Sequence, residues 1–122
     1  MSLLEDLNRC LAPLGIPMET GVFSEPPPDA YLVITPLADS FGLHADNAPL
    51  FDVQEARISL FARGSYTKQK NAILRALLAA GVYISDRRYL GHEDDTGFFH
   101  YAIDVANYYT WQEPDGFPSG SD

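Results

Sequence analysis

Apolar and polar side chains alternate along Val53–Arg63, which is the most regular pattern in the chain. A period of two is typical of a half-buried strand that turns one face toward the core. The predicted core face carries Ala56, Ile58, Leu60 and Ala62, and the opposite face carries Glu55, Arg57, Ser59 and Arg63 together with Phe61 and Val53.

A helical period follows this strand, after a break at Gly64-Ser65. The helix is predicted over Tyr66–Ala80, with Ser65 as its N-cap and Gly81 just past its C-terminus. Its stripe consists of Tyr66, Lys70, Ile73, Leu74, Leu77 and Leu78. Because strand and helix adjoin and both need covering, we expect Ile58 and Leu60 to pack under Ile73, Leu74, Leu77 and Leu78.

The remaining elements flank this central unit. An amphipathic helix is predicted over Leu3–Leu14, followed by an extended segment from Ile16. Further strands are predicted over Tyr31–Thr35, closed by Pro36, over Val82–Ser85 with continuation toward Tyr89, and over Phe98–Tyr109. The order α-β-β-α-β-β predicts an α+β fold with a small, mostly antiparallel four-stranded sheet packed on two helices. Residues 1–111 form a single domain in this interpretation, and residues 112–122 form a disordered acidic tail.

Leu37–Asp52 is the least regular stretch and is long for a hairpin connection. It contains several apolar side chains, Phe41 and Leu43 among them, but no sustained period. Two arrangements would bury these side chains. The segment either folds back on its own sheet or forms an arm that docks on a neighbouring subunit.

Charge narrows the classes of partner. Seventeen acidic residues face eight basic ones, so the net charge is −9, which argues against a nucleic-acid-binding surface. Seven of the eight basic residues lie between Arg57 and Arg88, which leaves both ends of the chain acidic. These bases either form a solvated surface or meet an acidic surface on a neighbouring copy. A base-stacking role for Tyr108, Tyr109 and Trp111 is disfavoured by the same net charge, and a strand end covering core or a subunit contact is preferred.

The sequence carries no recognisable catalytic constellation and predicts no cofactor. The one candidate metal cluster is the turn His92–Asp95 with His100 and Asp104, but its spacing matches no zinc or calcium loop. His100 and Asp104 would be about 13 Å apart along a strand, too far to share one ion. A solvated turn is therefore preferred to a metal site. The lone Cys10 excludes an intrachain disulfide and is expected to be a buried small hydrophobe. Neither a signal peptide nor a membrane span is expected.

Several phrases resemble the minor capsid or tail terminator (tail completion) proteins of tailed phages and prophages. They are the N-terminal leucines leading to Leu14-Gly-Ile-Pro17, the junction Arg57–Tyr66, the helix end Leu74–Gly81, and Asp94–His100 entering the last strand. Together they span the chain up to about Trp111, and they match in pattern and order.

The resemblance implies a structural assembly protein and not an enzyme. Such proteins form rings, commonly hexamers, that cap the tail tube and join it to the head, so the expected partners are further copies of the chain, tail-tube proteins and head-connector proteins. The expected locations are the virion tail or neck and, during assembly, the host cytoplasm. The ring favours the arm for Leu37–Asp52. The candidate subunit-interface residues are Phe41, Leu43, Arg57, Arg63, Arg87 and Arg88. Another neck, head-closure or minor capsid role is the alternative, and a small metal-binding or regulatory binding protein is a further one.

Overall fold

Two α-helices and five β-strands make up the described part of the chain, residues 2–21, 28–42 and 51–110 of a computed structural model. In chain order they are α1 (Leu3–Leu11), β1 (Met18–Thr20), β2 (Ala30–Gly42), β3 (Phe51–Arg63), α2 (Thr67–Ala79), β4 (Tyr83–His92) and β5 (Phe98–Thr110). A short 3-10 turn, Ala12–Leu14, follows α1.

The five strands form one sheet in the order β1-β2-β3-β5-β4. β1 pairs parallel to β2, and the other neighbours pair antiparallel. The predicted α+β class, a mostly antiparallel sheet packed on two helices, is confirmed. The sheet has one strand more than predicted, because the extended segment after Pro17 pairs with β2 over three residues.

Both helices contribute to a core on one face of the sheet. Ile58 and Leu60 of β3 are fully buried with Ile73 and Leu77 of α2, as predicted. Leu74 packs at the margin of this core. The prediction was wrong for Leu78, whose side chain is 66% exposed. It follows Leu77 by about 100° around the helix, which turns it away from the sheet. The other fully buried large side chains are Leu3, Leu7, Leu11, Leu32, Ile34, Ile103 and Val105.

The ends of α1 follow from local chemistry. Ser2 is the N-cap, and its hydroxyl accepts a hydrogen bond from the Glu5 amide at 3.2 Å. The α-helix ends at Leu11 and not at the predicted Leu14, because Pro13 lacks an N–H for the helical ladder. Cys10 is only half-buried, contrary to the prediction, and burial raises the pKa of its thiol.

The ends of α2 were predicted in part. The N-cap is Tyr66, which makes no side-chain capping bond, and not Ser65, which lies one residue too early. Gly81 was predicted correctly: its φ is +76°, and the amides of Gly81 and Val82 donate to the carbonyls of Leu78 and Leu77 at 3.1 and 3.0 Å. This pair of bonds is the Schellman motif.

β2 and β3 form a long hairpin whose strands exceed the predicted bounds. β2 does not close at Pro36 but runs to Gly42, and β3 begins at Phe51 instead of Val53. The register shifts between Pro36 and Ala38, so the chain accommodates the proline at a β-bulge. Of the predicted loop Leu37–Asp52, both ends are therefore strand, and residues 43–50 lie outside the described residues. The predicted tail, 112–122, also lies outside them.

Candidate assembly surfaces

The face of the sheet opposite α1 and α2, here called the helix-free face, is covered by the side chains of the strands themselves. Phe61 stacks on Tyr31 on one side and on His100 on the other, with ring centroids 4.9 and 4.2 Å apart. Phe98 meets Tyr31 edge-on at 5.4 Å, and the Arg63 guanidinium lies 4.4 Å from the Phe98 ring centroid. Burial among these rings lowers the pKa of His100. The aromatic row thus supplies packing on the face that neither α1 nor α2 covers.

Charged side chains continue this face toward β4. Arg57 binds Asp104 through two hydrogen bonds, of 2.7 Å from Nε and 3.1 Å from Nη2. Asp86 lies opposite Asp104 in the sheet and accepts two hydrogen bonds from Arg88. The hydrogen bond to Asp104 raises the pKa of Arg57, and the bond from Arg88 lowers the pKa of Asp86. The two arginines thereby neutralise two carboxylates that would otherwise repel each other.

Most of the arginines predicted for a subunit interface have an acidic partner within the chain. Arg57 and Arg88 belong to the pairs just described, and Arg63 contacts Asp29 at 3.0 Å and donates to the carbonyl of Thr96 at 3.0 Å. Arg87 is different. It is exposed on the edge strand β4, and within the described residues its guanidinium has no carboxylate partner.

Of the two apolar residues predicted for the same interface, only Phe41 falls within the described residues, and its backbone lies at the far end of the hairpin. The Phe41 backbone belongs to β2 and is paired with Asp52 of β3. Leu43 lies outside the described residues. The structure therefore places Phe41 at a distance from the arginines along the hairpin and does not describe Leu43.

Acidic and basic residues are segregated between the two lateral ends of the sheet, the end at β1 and the end at β4. Across their described residues, 18–20 and 30–42, β1 and β2 carry Glu19 and Asp39 and no basic residue, and Asp29 immediately precedes β2. On the other side, α2 carries no acidic residue, and β4 carries one, Asp86. The basic residues of α2 and β4 are Lys68, Lys70, Arg75, Arg87 and Arg88. The sequence showed a basic middle segment, but only the strand order shows that β4, which carries Arg87 and Arg88, lies at one edge of the sheet.

A cluster of aromatic rings joins α2 to β4, and sequence reasoning missed it. Tyr66 lies 5.7–5.9 Å from the rings of Tyr89, Phe99 and Tyr101. The Lys70 ammonium lies 5.3 Å from the Tyr101 ring centroid. The high tyrosine and phenylalanine content was the available signal, but it does not show which rings meet.

The far end of β5 forms an open groove on the helix-free face. The groove has a volume of about 340 Å³ and is lined by Val53, Glu55, Tyr83, Ser85, Ala106, Asn107 and Tyr108. Tyr83 and Tyr108 are 67% and 70% exposed. Tyr109 points the other way, and its hydroxyl donates to Asp6 of α1 at 2.5 Å. The predicted aromatic cluster is therefore divided between the groove and the helix layer, and Trp111 lies outside the described residues.

The candidate metal residues do not converge. His92 Nδ1 lies 3.1 Å from an exposed Asp94 oxygen, whereas His100 stacks on Phe61 and Asp104 binds Arg57. Within residues 2–21, 28–42 and 51–110, no group of three His, Cys, Asp or Glu side chains is placed to hold a metal ion. No helix in this part of the chain is long and apolar enough to cross a membrane.

Comparison with known proteins shows a likeness in fold. No protein-family model matches the sequence, and no curated protein matches it. Among solved structures, the chain is similar to a chain in the structure described as "Virion of native gene transfer agent (GTA) particle". The TM-score is 0.57 with 11% sequence identity, and the match covers 88% of this chain and 91% of that chain. At this identity, the likeness shows that the two chains share the α+β fold.

Proposed function

We propose that the protein is a structural component of a phage-like virion, and specifically a tail terminator (tail completion) protein. In this role it forms a hexameric ring at the head-proximal end of the tail tube and joins the tube to the head. The observation that carries the proposal is the fold likeness to a chain of a gene transfer agent virion, which extends over nearly all of both chains. The order of elements and the local phrases described above favour the terminator role within that class.

The distribution of charge supports a ring. In a ring, each subunit joins the next through two different surfaces, which must be complementary. The side formed by β1 and β2 carries Glu19 and Asp39, and the side formed by α2 and β4 carries the basic residues. Arg87, which has no carboxylate partner in the described part of its own chain, is the base that we assign to this contact. Arg57, Arg63 and Arg88 contribute less, because each has an intrachain partner.

Charge reversal tests the ring contact. Arg87→Glu should shift the protein from oligomer toward monomer in size-exclusion chromatography with light scattering, since like charges across an interface repel. Adding Asp39→Lys in the same chain should restore part of the assembly, because each interface then regains opposite charges. The matched control is Arg9→Glu on α1, whose side chain is 67% exposed and should leave the mass unchanged. A wild type that stays monomeric at high concentration would refute the ring.

Binding to tail tubes separates the terminator from other virion roles. Purified protein should cap one end of isolated tail tubes in negative-stain electron microscopy and stop their elongation. Binding to head connectors with no affinity for tube ends would instead identify a head-closure or other neck protein.

A further inference from the structure

β5 has an open edge at its C-terminal end. The pairing of β4 with β5 stops at Tyr83 opposite Ala106, whereas β5 continues to Thr110. On its other side, β5 remains paired with β3 as far as Thr110 opposite Phe51. The amide of Tyr108 donates to the side-chain Oδ1 of its neighbour Asn107 at 3.0 Å and not to a strand. Among the described residues, the end of β5 is thus a formed strand with one edge that no other strand pairs.

The groove described above lies beside this edge. Its walls are largely apolar and include the exposed rings of Tyr83 and Tyr108. It also contains the exposed carboxylate of Glu55, which has no ion-pair or hydrogen-bond partner among the described residues. A groove that presents a carboxylate together with two aromatic rings favours a cationic side chain, which gains an ion pair and contact with a ring face.

We propose that this edge and groove bind an extended segment of a partner protein, which adds a strand to β5 and places a lysine or arginine against Glu55. Main-chain hydrogen bonds to Tyr108 and Thr110 supply the affinity, and the groove selects the side chain, as in other cases of strand addition. The chain's own residues 111–122 are a poor occupant, because all of their charged side chains are acidic: Glu113, Asp115 and Asp122. The inference concerns a surface separate from the charged sheet edges, and it holds whether or not the protein forms a ring.

A synthetic peptide tests the proposal on the full chain. The probe is the blocked peptide Thr-Val-Thr-Lys-Val-Thr-Val, and its counterpart carries glutamate in place of lysine. Titration of the lysine peptide into ¹⁵N-labelled protein should shift the amide resonances of Tyr108 and Thr110. A lysine peptide that is N-methylated on alternate residues should not shift them, because the main-chain donors of the added strand are lost.

Variants then test the selectivity. The lysine peptide should bind wild type about fivefold more tightly than the glutamate peptide does, the range of a partly exposed ion pair. Glu55→Gln should remove that preference, and the control Glu19→Gln on β1 should retain it. The proposal is overturned if these amides do not shift, if both peptides bind equally, or if N-methylation has no effect. It is also overturned if the edge is already occupied by a second copy, which dilution of the protein alone would reveal as shifts of the same amides.

Discussion

Replacing Leu77 by alanine should destabilise the protein strongly, whereas replacing the adjacent Leu78 should not. The Leu77 side chain is fully buried between α2 and the sheet, and Leu78 is 66% exposed. Truncation of a buried leucine costs about 2–5 kcal/mol through lost apolar transfer and the cavity left behind. Truncation of a largely exposed side chain changes the free energy of unfolding by about 0.5 kcal/mol or less. Both substitutions occur in the last turn of one helix, so the change in helix propensity largely cancels in the comparison.

Urea denaturation followed by circular dichroism measures the difference. With a slope of about 2 kcal/mol per M, the midpoint for Leu77→Ala should fall by about 1–2.5 M, and the midpoint for Leu78→Ala should stay near that of wild type. The urea denaturations should be repeated over a range of protein concentrations. If Leu78 lies at a subunit contact, the loss of stability in Leu78→Ala will depend on protein concentration. Equal shifts for the two variants, or a larger shift for Leu78→Ala, would refute the placement of α2 on the sheet.

Two further predictions concern polar contacts. The Tyr109 hydroxyl lowers the pKa of Asp6, so Tyr109→Phe should raise that pKa toward its ordinary value in an NMR titration. A carboxyl group whose pKa is lower in the folded than in the unfolded state stabilises the fold at pH values above its unfolded-state pKa. Tyr109→Phe should therefore lower the free energy of unfolding at pH 6, and this loss should shrink as the pH falls through the folded-state pKa of Asp6. A double-mutant cycle with Arg57→Met and Asp104→Asn should give a coupling free energy of about 1 kcal/mol, and a coupling near zero would show that the bidentate pair does not contribute.

The sequence predicted the parts of the fold in which one short-range pattern decides the structure. The alternation along β3 identified Ala56, Ile58, Leu60 and Ala62 as its core face, and all four are buried. Gly81 marked the end of α2, because the left-handed conformation that follows a helix favours glycine. In each case, a periodicity or a single backbone requirement can be recognised from a few consecutive residues of the sequence.

Other features depended on partners that are distant in sequence. β1 has only three residues and exists because β2 lies beside it, so it has no sustained pattern of its own. Pro36 predicts the end of a strand, but β2 accommodates it at a bulge, since β3 continues to provide pairing partners beyond it. Leu78 matches the helical stripe by its position, yet the sheet beneath α2 does not reach it. Local propensity determines which segments form strands and helices here, and pairing with distant segments determines where they begin and end.

The candidate surfaces likewise combine features that the sequence predicts with features that depend on distant pairing. Alternation along β3 places Arg57 and Phe61 on the face away from the helices, but it does not show whether that face is free. The register answers this, because it brings Asp104 opposite Arg57, and His100 opposite Phe61, from β5, which follows β3 in the chain only after α2 and β4. Ion pairing and ring stacking then satisfy these side chains within the chain. What is left for partners is the charged edges of the sheet and the groove beside the end of β5, where the side chains of Arg87 and Glu55 have no ion-pair partner in the described part of the chain. The assembly surfaces of this protein should therefore be sought along the sheet's edges and in the groove at the end of β5, and not on the part of the face that its own ion pairs and stacked rings cover.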